Sequence, residues 1–240
     1  MKLAFLLFIL IILALIILFI TDYNRPFVNT VIINLDRSYG RRISTSMQLF
    51  LNGVNFRRHS AVDGLQYTFT DSEIAMFSEL IKDNKGKMKP QKLKNVMSCA
   101  LSHIQVWNKN RDSGPVLIME DDLFIYPLYK KNINSALSVI NIVDPNWEIM
   151  WVSGGDPGDR TVVAAFNGHT IYRMNPPEYI GQGTVAYLLS EKGVNRFLNK
   201  LNEKGCFAGI DIFLLKSLDI NHAYGIQTPL VVSGLFSSTI

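Results

Sequence analysis

The sequence predicts an α/β fold with a mostly parallel central sheet, preceded by an N-terminal transmembrane helix. Three observations predict it. Short apolar runs rich in β-branched residues, at 30–35 and 115–119, lack the polar alternation of a half-exposed strand and so suit strands buried on both faces. Longer segments with helix-start and helix-stop chemistry separate the strands, as a parallel sheet with crossover helices requires. Ahead of both, residues 3–20 form an unbroken run of Leu, Ile, Phe and Ala without charge or helix breaker.

That leading run spans roughly 27 Å as a helix, close to the hydrocarbon thickness of a bilayer. A core helix would show a polar face. A cleavable signal would have an apolar region of about 7–15 residues and a small-residue cleavage site. Thr21-Asp22-Tyr23-Asn24 offers no such site. These features favour a retained anchor over a cleaved signal or a buried helix. Lys2 precedes the run and Arg25 follows it, so charge favours a cytoplasmic N-terminus only slightly. The expectation is a type II single-pass protein of an endomembrane or cell membrane, meeting the lipid bilayer through residues 3–20. Residues 21–28, with Pro26, read as a short stalk, and 29–240 as one domain.

Residues 30–35 read as the first strand. A helix over 39–51 follows, with Gly53 placed to end it. A second strand over 56–62 stops at the turn Asp63-Gly64. Thr70 and Glu73 form a capping-box pattern opening a helix that ends near Asp83. The lysines of 82–94 are most simply a solvated loop. A helix over 98–110, closed by Gly114, leads to the strand 115–119. Beyond it come a helix near 128–142, a strand at 149–153 and strands across 162–172. A further strand at 185–189 precedes Ser190, a plausible N-cap for the helix 191–201.

The net charge of +4 is spread along the chain. No basic stripe with interleaved aromatics occurs, so no nucleic-acid partner is expected. Cys99 and Cys206 lie too far apart in sequence for a zinc-site spacing, and either a disulfide or two free thiols would fit them. The motifs of dinucleotide enzymes, P-loop kinases and α/β-hydrolases are absent.

Glu120-Asp121-Asp122 is the strongest chemical signal. Three consecutive carboxylates at the carboxyl end of an apolar strand sit where open α/β sheets bind ligands. Without a cation their repulsion in a partly dry site is costly. Hard oxygen donors suit Mg²⁺ or Mn²⁺, which can bridge a diphosphate. An exposed acidic turn is the competing reading. After the first strand, Asn34, Asp36 and Arg37 are followed by Arg41 and Arg42: Asp36 suits a ribose or base, and the arginines suit phosphate, although a plain strand-end turn fits equally. Ser102-His103 lies on the helix before the acidic strand, and His103 suits phosphate, metal or simple packing. Arg58 and Asp63 flank the second strand end. Asp211 opens the apolar segment 212–215 as an N-cap or a catalytic base.

In order, these segments resemble the family-25 glycosyltransferases, which include lipopolysaccharide and procollagen galactosyltransferases. The resemblance rests on 32–37 with Arg41-Arg42, on 58–64, on 98–103 with Trp107, and on 116–122. Weaker matches are 183–190 before Gly193, Ile210-Asp211, and the terminal stretch from Thr228-Pro229 through 237–240. It implies a GT-A-like nucleotide-sugar-binding domain and an inverting, Mn²⁺- or Mg²⁺-dependent transfer of galactose or glucose from a UDP-sugar. The acceptor hydroxyl would lie on a glycan, a lipopolysaccharide or a collagen-like chain. By the same resemblance Glu120 and Asp122 hold the metal, and Asn34, Asp36, Arg37, Arg41, Asp63, Ser102, His103 and Asp121 serve the donor. Asp211, and second to it Asp156, are the candidate bases. A catalytically inactive sugar-nucleotide or glycan binder is the alternative.

Overall fold

The computed structural model describes residues 27–154, 161–174 and 183–234, together with Phe5, Phe8, Ile9 and residues 11–13. Among the described residues, no helix is long and apolar enough to cross a membrane. The apolar run at 3–20 lies largely outside them, and its described positions are helical with exposed apolar side chains.

The elements alternate as the sequence predicts. Strand β1 (Asn29–Asn34), helix α1 (Tyr39–Leu51) and β2 (Arg57–Ser60) come first. Helices α2 (Asp71–Met76), α3 (Ser78–Asp83) and α4 (Pro90–Lys109) lead to β3 (Val116–Glu120) and β4 (Leu123–Ile125). Helix α5 (Tyr129–Val143), β5 (Ile149–Trp151), β6 (Thr161–Phe166) and β7 (His169–Arg173) follow. The chain continues through β8 (Ala186–Leu189), α6 (Glu191–Lys204), α7 (Ile210–Ser217), β9 (Ala223–Ile226) and β10 (Val231–Ser233).

Among the described residues the main sheet runs β2-β1-β3-β8-β5-β9-β7-β6, and β4 pairs with β10 in a separate antiparallel ribbon. Strands β1, β2, β3, β5, β6 and β9 point one way, and β7 and β8 point the other. The sheet is therefore mostly parallel in strand direction, with β8 inserted between β3 and β5. That reversal is not predicted by the apolar run of β8, because a strand buried on both faces looks the same in either direction.

Alternation within the strands explains the layers. Val31, Ile33, Val116, Ile118, Tyr187 and Leu189 face one core, covered by α4, α6 and α7. Ile32, Leu117, Met119, Ala186 and Leu188 face the other, covered by α1 and α5. Each fully buried large apolar side chain contributes about 1.5–3 kcal/mol relative to exposure. Both faces being covered leaves the strand ends as the open rims of the sheet.

Local signals resolve most boundaries. Thr70 and Glu73 make the reciprocal capping box at α2, and Ser190 accepts from Gly193 N–H at the start of α6. Gly53 takes the left-handed conformation just past α1 (φ 69°). Three expectations are corrected. The helix after Thr70 is divided into α2 and α3 at the fully buried Phe77. The lysine-rich loop is confined to residues 84–89, because α4 begins at Pro90, whose fixed φ and missing N–H suit the first helical turn. Gly209, not Asp211, caps α7, and Asp211 lies in its first turn.

Candidate functional site

The chain leaves β3 at Glu120, turns through Asp121-Asp122 and enters β4, placing the three carboxylates at the carboxyl rim beside the end of β1. A cleft opens there. Its lining includes Arg37, Arg41, Asp63, Ser102 and His103 together with Glu120, Asp121 and Asp122.

The three acids have different surroundings. Asp121 is buried and satisfied: Asn34 Nδ2 donates to it at 2.5 Å and an Arg41 guanidinium nitrogen at 3.2 Å. Thr45 on α1 also donates to the Asp121 carbonyl at 2.9 Å. Asp121 thus ties the acidic turn to β1 and α1. Asp122 faces the cleft with its Oδ1 buried and without a hydrogen bond. Burial and the charge of Glu120 raise its carboxyl above the ordinary range, with Arg41 at 4.0 Å only partly compensating. Burial also pushes the Glu120 carboxyl upward, but contact with His103, then Thr184 and Arg41, carries it below its ordinary value. Thr184 donates to Glu120 Oε1, and His103 Nε2 lies 3.5 Å from that same oxygen.

A hard divalent cation fits this set. Asp122 holds a buried carboxylate oxygen with no partner, beside a second carboxylate that repels it, and a cation relieves both costs. Asp122 is the better-disposed donor, and Glu120 already has two neighbours on one oxygen.

The basic and polar wall is held by its own network. Arg37 Nε donates to Asp63 Oδ2 at 2.8 Å, bridging the ends of β1 and β2. Ser102 Oγ accepts from Val62 N–H at 2.9 Å and donates to Ser98 O at 2.7 Å, fixing α4 against the β2 turn. Gly64 permits that approach, since a Cβ there would stand 2.6 Å from Asn95 Oδ1. Asn34 supports the cleft from beneath, donating to Asp121 while Arg58 donates to its side-chain and main-chain oxygens at 2.9 and 3.0 Å. Asp36 points elsewhere: it is exposed, takes hydrogen bonds from Arg58 and Ser60, and does not line the cleft. The Arg58 bond, followed by that from Ser60, holds its carboxyl below the usual value.

A second cleft adjoins the first. Cys99 and Glu120 line both, and Thr184, Gly209 and Asp211 complete the second. Asp211 is exposed at its edge. Asp156 lies outside the described residues. Thr45, Thr184 and Tyr187 are not assigned to the site by the sequence, and Cys99 is read there only as a free thiol or half of a disulfide. Cys99 had a usable signal, one helical turn before His103; Thr184 and Tyr187 reach the site only through the reversed strand. Both cysteines are free thiols.

Comparison with known proteins gives one family match and several distant ones. The description "Glycosyltransferase family 25 (LPS biosynthesis protein)" matches residues 27–156. The chain is 26% identical over 114 residues to "Putative glycosyltransferase R655" of Acanthamoeba polyphaga mimivirus, an alignment covering 44% of this chain and 34% of that protein. The chain thus spans about a third of that relative. Among solved structures it is distantly similar to a glycosyltransferase involved in glycosylation of the major capsid of PBCV-1, with TM-score 0.42, 10% identity, and coverage of 88% and 96% of the two chains. Mouse xyloside xylosyltransferase 1 gives TM-score 0.33, 11% identity, and coverage of 78% and 67%.

Proposed function

The chain belongs to glycosyltransferase family 25, and from that membership and the geometry of the rim we propose that it transfers a hexose from a UDP-sugar to an acceptor hydroxyl. The observation that carries this reading is Asp122, whose buried carboxylate oxygen lacks a partner on the floor of a cleft walled by Arg37 and Arg41. A buried carboxylate oxygen left without a hydrogen bond is costly, and a ligand-borne cation is the simplest relief.

In this reading the first cleft takes the donor. Asp122, with Glu120, would hold Mn²⁺ or Mg²⁺, which when bound supplies charge neutralisation for the departing diphosphate. Arg41, oriented by Asp121, and Arg37, oriented by Asp63, present guanidinium groups toward the anion. The second cleft takes the acceptor, with Glu120 at the boundary. Asp211 is the base we assign to it, since an inverting displacement needs a proton acceptor beside the attacking hydroxyl. A glycan, a lipopolysaccharide sugar or a hydroxylysine presents such a hydroxyl. Galactose and glucose differ at one hydroxyl, and galactose is the first donor to test on family grounds. Residues 3–20 are read as the attachment to the bilayer, tested by whether removing them releases the protein from membranes into the supernatant.

The test is hydrolysis and transfer from a panel of nucleotide sugars by the full chain in detergent, with Mn²⁺ and with EDTA. Turnover of one UDP-hexose that EDTA abolishes is the expected result. A well-folded protein that neither binds nor turns over any donor overturns the reading. For Asp211→Asn, transfer should fall by about 10²–10⁴-fold while donor binding persists. Equal loss of donor binding would remove Asp211 from the role of base.

A further inference from the structure

Cys99 and His103 stand one turn apart on α4, so both project from the same helix face. Glu120 meets them from β3. One ligand atom from each of the three lies within 4.8 Å of the others, with the His103 and Glu120 atoms 3.5 Å apart. Such a triad does not by itself make a site. The second observation is His103, which is 1% exposed, with Nε2 fully buried and making no hydrogen bond.

The far side of the ring has a partner that permits Nε2 to coordinate. His103 Nδ1 lies 2.7 Å from the Tyr187 hydroxyl, which also accepts from Trp107 Nε1–H at 3.1 Å. When Nδ1 carries the proton it donates to Tyr187, and the Nε2 lone pair is left facing Cys99 and Glu120. An imidazole held through its other nitrogen is the usual preparation of a metal-binding histidine. The ring also stacks on Tyr187, with centroids 5.7 Å apart, which limits its rotation.

We propose that Cys99, His103 and Glu120 form a three-ligand site for a borderline-soft divalent cation such as Zn²⁺, separate from the hard-cation role of Asp122. A thiol, an imidazole and a carboxylate are the ligand types that Zn²⁺ takes, and three protein ligands leave one coordination position open. Cys99 and Glu120 line both clefts, so the site would lie where the two meet. Binding releases the Cys99 thiol proton to solvent and leaves the oxidation states unchanged. Because Glu120 is shared, Zn²⁺ here removes it from the donor side and lowers transfer at saturating Mn²⁺. The ligand geometry stands independently of the transferase reading.

The test uses the full chain and Co²⁺ as a spectroscopic substitute for Zn²⁺. One equivalent of Co²⁺ should produce a thiolate-to-cobalt charge-transfer band in the near ultraviolet, which Zn²⁺ bleaches stoichiometrically. Cys99→Ser should abolish the band, and Cys206→Ser and Asp122→Asn should retain it. Tyr187→Phe should weaken Zn²⁺ binding roughly 10–100-fold, as expected when the support of a ligating histidine is removed. Absence of the band in the unmodified protein overturns the proposal, as does its persistence in Cys99→Ser. Loss of the band in Asp122→Asn also overturns it, because the cation would then belong to the acidic turn. Protection of Cys99 from alkylation by Zn²⁺ in the unmodified chain gives a readout independent of any variant's folding. Alkylation at an undiminished rate under saturating Zn²⁺ counts against the site.

Discussion

At the carboxyl ends of β1 and β3, Asp122 keeps a buried oxygen that no group of the protein bonds. At the amino ends of β5 and β9, Asp144 accepts from His222 Nδ1 at 2.8 Å, from the Tyr224 hydroxyl at 2.9 Å and from Asn146 N–H at 2.9 Å. The consequences have opposite sign. Burial and Glu120 raise the Asp122 carboxyl; burial also acts to raise Asp144, but His222, Asn146 and Tyr224 together carry it below the ordinary value. Acidic residues at a sheet rim therefore do not mark a site. The mark is a carboxylate completed neither by hydrogen bonds nor by a contacting cation: Glu148, on the same amino rim, also has buried oxygens without hydrogen bonds, but Arg196 pairs with it.

The largest effect should come from breaking the incomplete rim. Asp122→Ala is expected to lower metal-dependent transfer by about 10²–10³-fold or more, the scale of removing one dominant electrostatic contributor. Its folding stability should hold or rise. The sign follows from the raised carboxyl: its ionised form is disfavoured in the folded state, so deleting it at neutral pH relieves a cost. Activity assays beside thermal unfolding check both halves. A variant that loses activity only because it unfolds would erase the contrast between the two rims.

Asp121, one residue earlier, behaves like the completed rim although it sits in the cleft. Asp121→Ala would leave Asn34 and Arg41 without their buried acceptor, at a cost of about 3 kcal/mol in folding stability. Denaturant midpoints for Asp121→Ala and Asp122→Ala measure the difference between neighbours directly. If the two fall equally, the division of labour within the turn is wrong.

Much of this was legible in the sequence, for reasons that differ by residue. The strands β1 and β3 show because both of their faces are apolar, and the acidic turn shows because three carboxylates interrupt such a run. Capping chemistry at Thr70 and Ser190 is local and reads directly. The direction of β8 does not read, and with it Thr184 and Tyr187 are hidden, since their role depends on which strand lies beside β3. Strands β4, β9 and β10 are too short to give a periodic signal. Within the acidic turn the residue types alone give three like carboxylates, and only the family resemblance singles out Glu120 and Asp122 for the metal. The partners contributed by β1 and α1 are what separate the satisfied Asp121 from the unsatisfied Asp122.

A smaller effect is expected at the opposite rim. Asp144→Asn keeps the shape but removes the charge that His222 and Tyr224 address, and should cost about 1.5–3 kcal/mol, the range for hydrogen bonds to charged groups. Transfer activity at a temperature well below unfolding should be unchanged. A loss of activity without a loss of stability would instead make this rim part of the functional surface.

The smallest effect, and the most diagnostic of mechanism, is the pH dependence of that cost. The folded Asp144 carboxyl lies below its ordinary value of 3.8. Its ionised form is thus favoured by folding, and its contribution is fully present above the unfolded value and is lost as pH falls through the folded one. The stability gap between the wild type and Asp144→Asn is therefore read from about pH 5 downward, below the range in which histidine takes up its proton. Below that it should narrow, because the asparagine does not titrate while the aspartate gives up its charge. Urea unfolding of the two proteins at matched ionic strength, stepped from neutral to acid, measures the gap. A gap that widened below about pH 5 would reverse the sign assigned to Asp144, and the distinction between a completed and an incomplete carboxylate would then rest on Asp122 alone.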